Sequence, residues 1–178
     1  MSVDTPWGKG ECLLPLAGRF NISNALAVLG VLGCLNISLD KSLTALSHLA
    51  APGGRMQRFG GNGKPVVIVD YSHTPAALQE ALIAIREQCD GRLICVFGCG
   101  GDRDSGKRSE MGAIAQQFSD EVFITSDNPR SESPEKIIRD ICEGLSLPDK
   151  AIIIEDRSSA IAKAVQYANV NDIVLENH

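Results

Sequence analysis

No apolar run in this chain of 178 residues is long enough to cross a bilayer. The opening Met-Ser-Val-Asp-Thr-Pro-Trp lacks the basic and apolar regions of a secretory signal. Positive charge is not in excess: the formal net charge is −5, which argues against a general nucleic-acid footprint. None of the six cysteines (Cys12, Cys34, Cys89, Cys95, Cys99 and Cys142) forms a C-x-x-C pair, and the three histidines are scattered, so no zinc site is expected. Most of the cysteines sit in apolar patterns, which predicts reduced, buried thiols in a cytoplasmic protein. No Ser-His-Asp or Cys-His set supports nucleophilic catalysis. Repeats and low-complexity tracts are absent as well.

What is present is an alternating rhythm. From Val66 onward, short apolar strands (Val66–Asp70, Leu93–Phe97, Glu121–Thr125, Ala151–Glu155, Asp172–Leu175) alternate with helical patterns at Pro75–Cys89, Ser109–Phe118, Pro134–Leu145 and Ser158–Ala168. This predicts an α/β fold, a mostly parallel Rossmann-like sheet with right-handed crossovers. Arg55–Phe59 and Pro65–Asp70 flank Gly60-Gly-Asn-Gly63, which reads as a hairpin at the start of that domain. The break Ala51-Pro-Gly-Gly54 sets a boundary near residue 53. Ahead of it, residues 1–20 read as irregular. Asn21 or Ser23 is positioned to cap a helix to about Leu35, and Ser38 one to about Ala50. The first of these is almost entirely Ala, Leu, Val and Gly, so it is expected to be buried or to have packed on a neighbour.

In a parallel sheet every strand-to-helix turn lies on one rim, where ligands bind. Three of those turns carry chemistry. Gly98–Arg108 mixes four glycines with Asp102, Arg103, Asp104, Lys107 and Arg108. Gly101-x-x-x-x-Gly106-Lys107 copies most of a P-loop, but Arg108 stands where Ser or Thr would hold magnesium. Gly98 and Gly100 begin a dinucleotide fingerprint that Arg103 leaves incomplete. In Ser126–Ser131, Arg130 offers a planar fork for a carboxylate, and Asp127 and Asn128 offer acceptors for an ammonium group. Pro129 keeps Asn128 extended. Plain turn chemistry also accounts for Asp-Asn-Pro taken alone. Beside Arg103, however, the set suits a small zwitterion. The third turn holds Asp70, placed to bond a ribose hydroxyl, with Tyr71 and His73 placed to lie against a base.

Five motifs then occur in order: Leu16-Ala-Gly-Arg-Phe-Asn-Ile-Ser-Asn24, Pro52-Gly-Gly-Arg-Met-Gln57, Val69-Asp-Tyr-Ser-His-Thr-Pro75, Gly98-Cys-Gly-Gly-Asp-Arg-Asp104 with Gly106-Lys-Arg108, and Ser126-Asp-Asn-Pro-Arg130. Together they resemble the C-terminal part of the Mur ligases, from about Pro6 to Leu175, in the version found in the branch that adds meso-diaminopimelate. The resemblance implies an ATP- and Mg²⁺-dependent reaction in peptidoglycan synthesis. The acceptor carboxylate of UDP-MurNAc-L-Ala-D-Glu becomes an acyl phosphate, which the incoming amine attacks. It implies that Arg103, Asp127, Asn128, Pro129 and Arg130 hold meso-diaminopimelate. It also implies that Asn21 and Asn24 lie near the adenine, and Arg55 and Asp70 near phosphate and ribose, with His73 on the same nucleotide side. Residues 1–53 would be the end of the central ATP-binding domain and 54–178 the amino-acid-binding domain, its last part truncated at Glu176-Asn177-His178. The magnesium ligands would lie outside this chain, which alone would be an inactive, monomeric part of a cytoplasmic enzyme. Another Mur-like or folylpolyglutamate-type ligase domain with a different added amino acid, and a non-catalytic nucleotide- or phosphate-binding α/β module, are the competing expectations.

Overall fold

A computed structural model describes residues 1–16 and 18–177. Ala17, within the first of the five motifs, and His178 lie outside the described residues. The chain forms two compact units, Met1–Pro52 and Gly53–His178.

The first unit begins with a hairpin rather than the irregular segment expected. Strands β1 (Ser2–Thr5) and β2 (Gly8–Glu11) pair antiparallel. The Thr5 hydroxyl closes the turn: it donates to the Gly8 carbonyl at 2.8 Å and accepts from the Trp7 amide at 3.2 Å. Helix α1 (Arg19–Cys34) starts ahead of the expected caps, with Gly18 at the cap position in a left-handed conformation (φ 92°). Asn21 therefore lies in the first turn, its amide donating to the Gly18 carbonyl. Helix α2 (Leu39–Ser47) packs Leu43 and Leu46 on Val3, Ala25 and Leu29. Much of the apolar surface of α1 is not buried: Ile22, Leu26, Val28 and Val31 are exposed. Of the two readings of this apolar helix, the buried one is thus corrected.

In the second unit, six strands take the order β3-β4-β8-β5-β6-β7. Edge strand β3 (Gln57–Gly60) forms the expected hairpin with β4 (Val66–Asp70). Strands β4, β8 (Ile173–Asn177), β5 (Leu93–Phe97), β6 (Glu121–Ile124) and β7 (Ile152–Ile153) are parallel. The last strand is thus central, between β4 and β5. It also runs beyond Leu175: Glu176 pairs with Val69 and Val96, and Asn177 with Asp70 and Phe97, both buried in the sheet.

Side chains alternate across the sheet as strand geometry requires. Leu93, Cys95, Phe97 and Leu175 face Leu78, Leu82 and Ile85 of α3 (Pro75–Arg86), Met111 and Ala115 of α4 (Gly106–Phe118), and Ile137 and Ile141 of α5 (Pro134–Cys142). Ile94, Val96, Phe123 and Val174 face Ala160 and Ala164 of α6 (Arg157–Tyr167). Each such large side chain contributes about 1.5–3 kcal/mol by leaving water.

The rim is set by the helix starts. Thr74, Ser133 and Asp156 each accept a backbone N–H at the head of α3, α5 and α6, and Pro75 and Pro134 occupy the first helical position. Each turn on the rim is thereby pinned at its far end. Helix α4 differs, because Asp104 Oδ1 accepts the Gly106 amide at 2.9 Å and the helix begins three residues before the expected Ser109. Lys107 and Arg108 consequently sit on a helix turn and not in a loop.

Candidate functional site

The turns after β5 and β6 are welded into one surface. The Gly101 amide donates to the Asn128 carbonyl at 2.8 Å, and Arg130 Nη1 donates to the Gly101 carbonyl at 2.5 Å. The Asp102 amide donates to Glu132 Oε1 at 2.7 Å, while Asp102 accepts from the Ser131 hydroxyl at 2.6 Å and from its amide at 3.2 Å. Such closeness needs glycine: a Cβ on Gly98 would lie 2.5 Å from the Thr125 carbonyl oxygen, and one on Gly101 1.9 Å from that of Pro129. Asp102 and Arg130 adopt left-handed backbone (φ 51° and 49°), a conformation that surrounding contacts must stabilise.

Beneath the weld lies Arg108, fully buried. Its guanidinium donates to both Glu132 oxygens (2.7 and 3.0 Å), to Asp140 Oδ2 (2.7 Å) and to the Gly100 carbonyl (3.3 Å). The fork geometry of arginine is what allows four contacts from one head. The hydrogen bond from Arg108 is the main reason the Glu132 carboxyl is held down to about 2; the Asp102 amide and Lys136 add to it. Reciprocally, the bond to Glu132 pushes Arg108 up from its ordinary value. The Ser131 hydroxyl likewise holds Asp102 below the usual carboxylate range. In sequence Arg108 stands as the mismatch of a P-loop pattern, and nothing local marks Glu132 or Asp140 as its partners. The one available signal was an arginine in the first turn of an otherwise apolar-faced helix.

Of the expected amino-acid residues, Arg103, Asn128 and Arg130 are exposed on this welded surface, and Asp127 and Pro129 are half-buried in it. Arg103 makes no hydrogen bond or ion pair among the described residues. Arg130 donates from Nη1 to Gly101, and its Nε and Nη2 make no hydrogen bond among the described residues. The Asn128 side-chain oxygen accepts the Arg130 amide at 3.3 Å, so the turn also orders itself.

A second cluster forms around the turn after β4. Arg55 lies over the Tyr71 ring, 4.9 Å from its centroid, and donates to the Tyr71 carbonyl at 3.0 Å. The Tyr71 and His73 rings are 5.1 Å apart. All three are exposed. Asp70 is different: it is buried, its Oδ1 accepts the Met56 amide at 2.8 Å, and its Oδ2 accepts the Ser72 hydroxyl. Expected as a ribose partner, it instead faces inward and braces this turn. In the first unit, Asn24 Nδ2 donates to Asn21 Oδ1 at 3.3 Å, one helical turn apart on α1.

A third contact was not foreseen. Arg157 donates to Glu176 and to the carbonyls of Asn177 (2.6 Å) and Ser126 (3.4 Å), clamping the rim ends of β8 and β6 together. Among the described residues no group of three or more His, Cys, Asp or Glu side chains could hold a metal ion. Nor is any helix there long and apolar enough to cross a membrane.

Comparison with known proteins places this geometry. Residues 54–176 match the family described as Mur ligase, glutamate ligase domain. A UDP-N-acetylmuramoyl-L-alanyl-D-glutamate–2,6-diaminopimelate ligase of Coxiella burnetii is 55% identical over 98% of this chain, and one of Pseudomonas aeruginosa is 50% identical over 96%. A solved structure of a ligase with the same name is 34% identical, with a TM-score of 0.68 over 99% of the chain. The chain spans about a third of the length of these relatives, 36%, 35% and 36% respectively.

Proposed function

The chain belongs to the Mur ligase family, and from that premise we propose that it is the C-terminal part of an ATP-dependent ligase that adds meso-diaminopimelate to UDP-MurNAc-L-Ala-D-Glu in peptidoglycan synthesis. The observation that carries this reading is the weld between the two turns. It brings the turns that carry Arg103 and Asp127–Arg130 side by side, with both arginines exposed. Meso-diaminopimelate differs from lysine by a second carboxylate. An arginine fork matches that carboxylate with two parallel charge-assisted bonds, and lysine would leave the fork without its partner. Asp127 and Asn128 supply acceptors for the ammonium groups.

On the nucleotide side, Arg55 and His73 are the ligand residues of this reading, with Asp70 holding their turn in place. Asn21 and Asn24 are adenine-side residues on the resemblance alone. ATP, when bound, would supply the phosphoryl group that activates the acceptor carboxylate. The residues of this chain would hold and orient its anionic end. In this reading the magnesium ligands lie outside this chain; among the described residues no group of three or more His, Cys, Asp or Glu side chains gathers for a metal ion.

Titration calorimetry of this chain with meso-diaminopimelate and with L-lysine tests the reading. We expect binding of the former, at least about tenfold weaker binding of the latter, and loss of the difference in Arg130→Ala. Equal affinities, or no binding of meso-diaminopimelate, would remove the amino-acid site from this rim.

A further inference from the structure

Lys107 connects the two clusters. Its stem leaves the first turn of α4, the helix that follows the Arg103 turn in the chain. Its ammonium reaches the turn after β4 and donates to the His73 carbonyl at 2.8 Å. An ammonium group carries three donors, and this contact uses one. No ion pair involves Lys107 among the described residues, and the residue as a whole is half-buried. On these turns Asp70 is engaged by Met56 and Ser72, Asp102 by Ser131, and Asp104 by the Gly106 amide. The four-residue turn 71–74 therefore gathers Arg55 over Tyr71, the His73 ring and the Lys107 ammonium, with no free carboxylate among the contacts that hold them.

We propose that Lys107 is an anion-binding residue of this rim, receiving a phosphoryl oxygen on the two donors that the His73 carbonyl leaves open, alongside Arg55. Only the identity of the anion, a phosphoryl group of the nucleotide or of the activated acceptor, rests on the ligase reading. The site itself rests on the geometry. Because Lys107 and the Arg103 turn share one stretch of backbone, an anion held there is held in register with the amino-acid surface. A compact, strongly hydrated ammonium on a flexible stem suits a group that binds transferable charge without fixing a planar fork.

The test is titration of this chain with inorganic tripolyphosphate, followed by amide-resolved NMR and calorimetry. Shifts are expected at Tyr71–His73 and at Gly106 and Lys107. Lys107→Met should weaken binding at least about tenfold, the loss of one charge-assisted contact. Lys107→Arg should stay within about threefold of the parent, because charge and donors remain. Lys163→Met, which removes an exposed lysine of α6 and changes net charge equally, should leave affinity unchanged. Unfolding midpoints of all three variants separate folding defects from lost binding. The proposal is overturned if tripolyphosphate does not bind, if Lys107→Met binds it like the parent, or if Lys163→Met loses as much. Binding of meso-diaminopimelate is read separately, so a rim that takes the amino acid but no polyphosphate would refute only this inference. The converse result would refute only the amino-acid site.

Discussion

Replacing Gly101 by alanine would put a methyl group 1.9 Å from the Pro129 carbonyl oxygen and 2.6 Å from its carbon. Both are backbone atoms, so no rotamer change relieves the overlap. Ordinary contact begins near 3.4 Å, and the two turns would have to part by about 1.5 Å, a strain of the kind that costs about 1–3 kcal/mol. Parting them would also stretch the bond from the Gly101 amide to Asn128 and the one from Arg130 to the Gly101 carbonyl, the latter holding the Arg130 guanidinium. Displacements of about 1 Å in a positioned site are known to cost on the order of 100-fold. We therefore expect Gly101→Ala to lower the urea midpoint of the second unit and to weaken meso-diaminopimelate binding by about tenfold or more. Gly30→Ala is the matched control of opposite sign. A Cβ there meets nothing within 4 Å in the middle of α1, and alanine should raise helix stability by about 0.5–1 kcal/mol. A Gly101→Ala chain with the parent's midpoint and affinity would refute the weld as the device that builds the site.

Arg130→Lys keeps the charge but loses the fork, and should raise the dissociation constant for meso-diaminopimelate about 10- to 100-fold in calorimetry; an unchanged value would take Arg130 out of the site. Arg108→Met leaves the Glu132 and Asp140 carboxylates without their shared cation and should cost about 3 kcal/mol in urea unfolding; a cost below about 1 kcal/mol would mean that water serves those carboxylates as well as Arg108 does. Glu132 is depressed from 4.5 to about 2 in the fold, so its stabilising contribution is complete above pH 4.5 and is lost as pH falls from 4.5 toward 2. Glu132→Gln should flatten that part of the stability profile, and an unaltered acid slope would exclude Glu132 as its source. Burial pushes the Cys95 thiol up to about 12 and Cys99 to about 11; with a thiolate-specific reagent at pH 8, exposed Cys34 should react first, and early labelling of Cys95 or Cys99 would contradict their burial.

How much of this was legible depended on whether a segment's signal was local. Val66–Asp70 and Leu93–Phe97 are continuous β-branched and apolar runs, and both strands appear where expected. Thr74-Pro75 and Ser133-Pro134 mark helix starts through contacts spanning three residues, and those starts are also as read. The hairpin β1–β2 went unseen because only Val3 of its eight residues is buried, so neither strand shows an alternating pattern. The start of α4 was misread because Gly106-Lys-Arg has the composition of a turn; its cap is Asp104, whose side chain takes over the role that Ser105 does not fill. Glu176 and Asn177 looked like a polar tail. Their burial depends on Arg157, 19 and 20 residues away, which neutralises the one and binds the carbonyl of the other.

Arg108 shows the limit most clearly. Read locally, Gly101-x-x-x-x-Gly106-Lys107-Arg108 is a phosphate loop with one wrong residue, and the wrong residue is the informative one. A Ser or Thr hydroxyl at this position would face a ligand. The arginine instead reaches back under the turns to carboxylates 24 and 32 residues away. It thereby turns a stretch suited to wrapping phosphate into a pillar that fixes two turns side by side. The phosphate-seeking residue that remains is its neighbour Lys107, whose ammonium lies on the adjacent turn at the His73 carbonyl. Two consecutive cations on one helix turn thus take different directions, the buried one holding the amino-acid surface rigid and the other left with donors for an anion. That division follows from α4 beginning at Gly106, because successive residues on a helix project about 100° apart, and the loop expected from composition would have imposed no such separation.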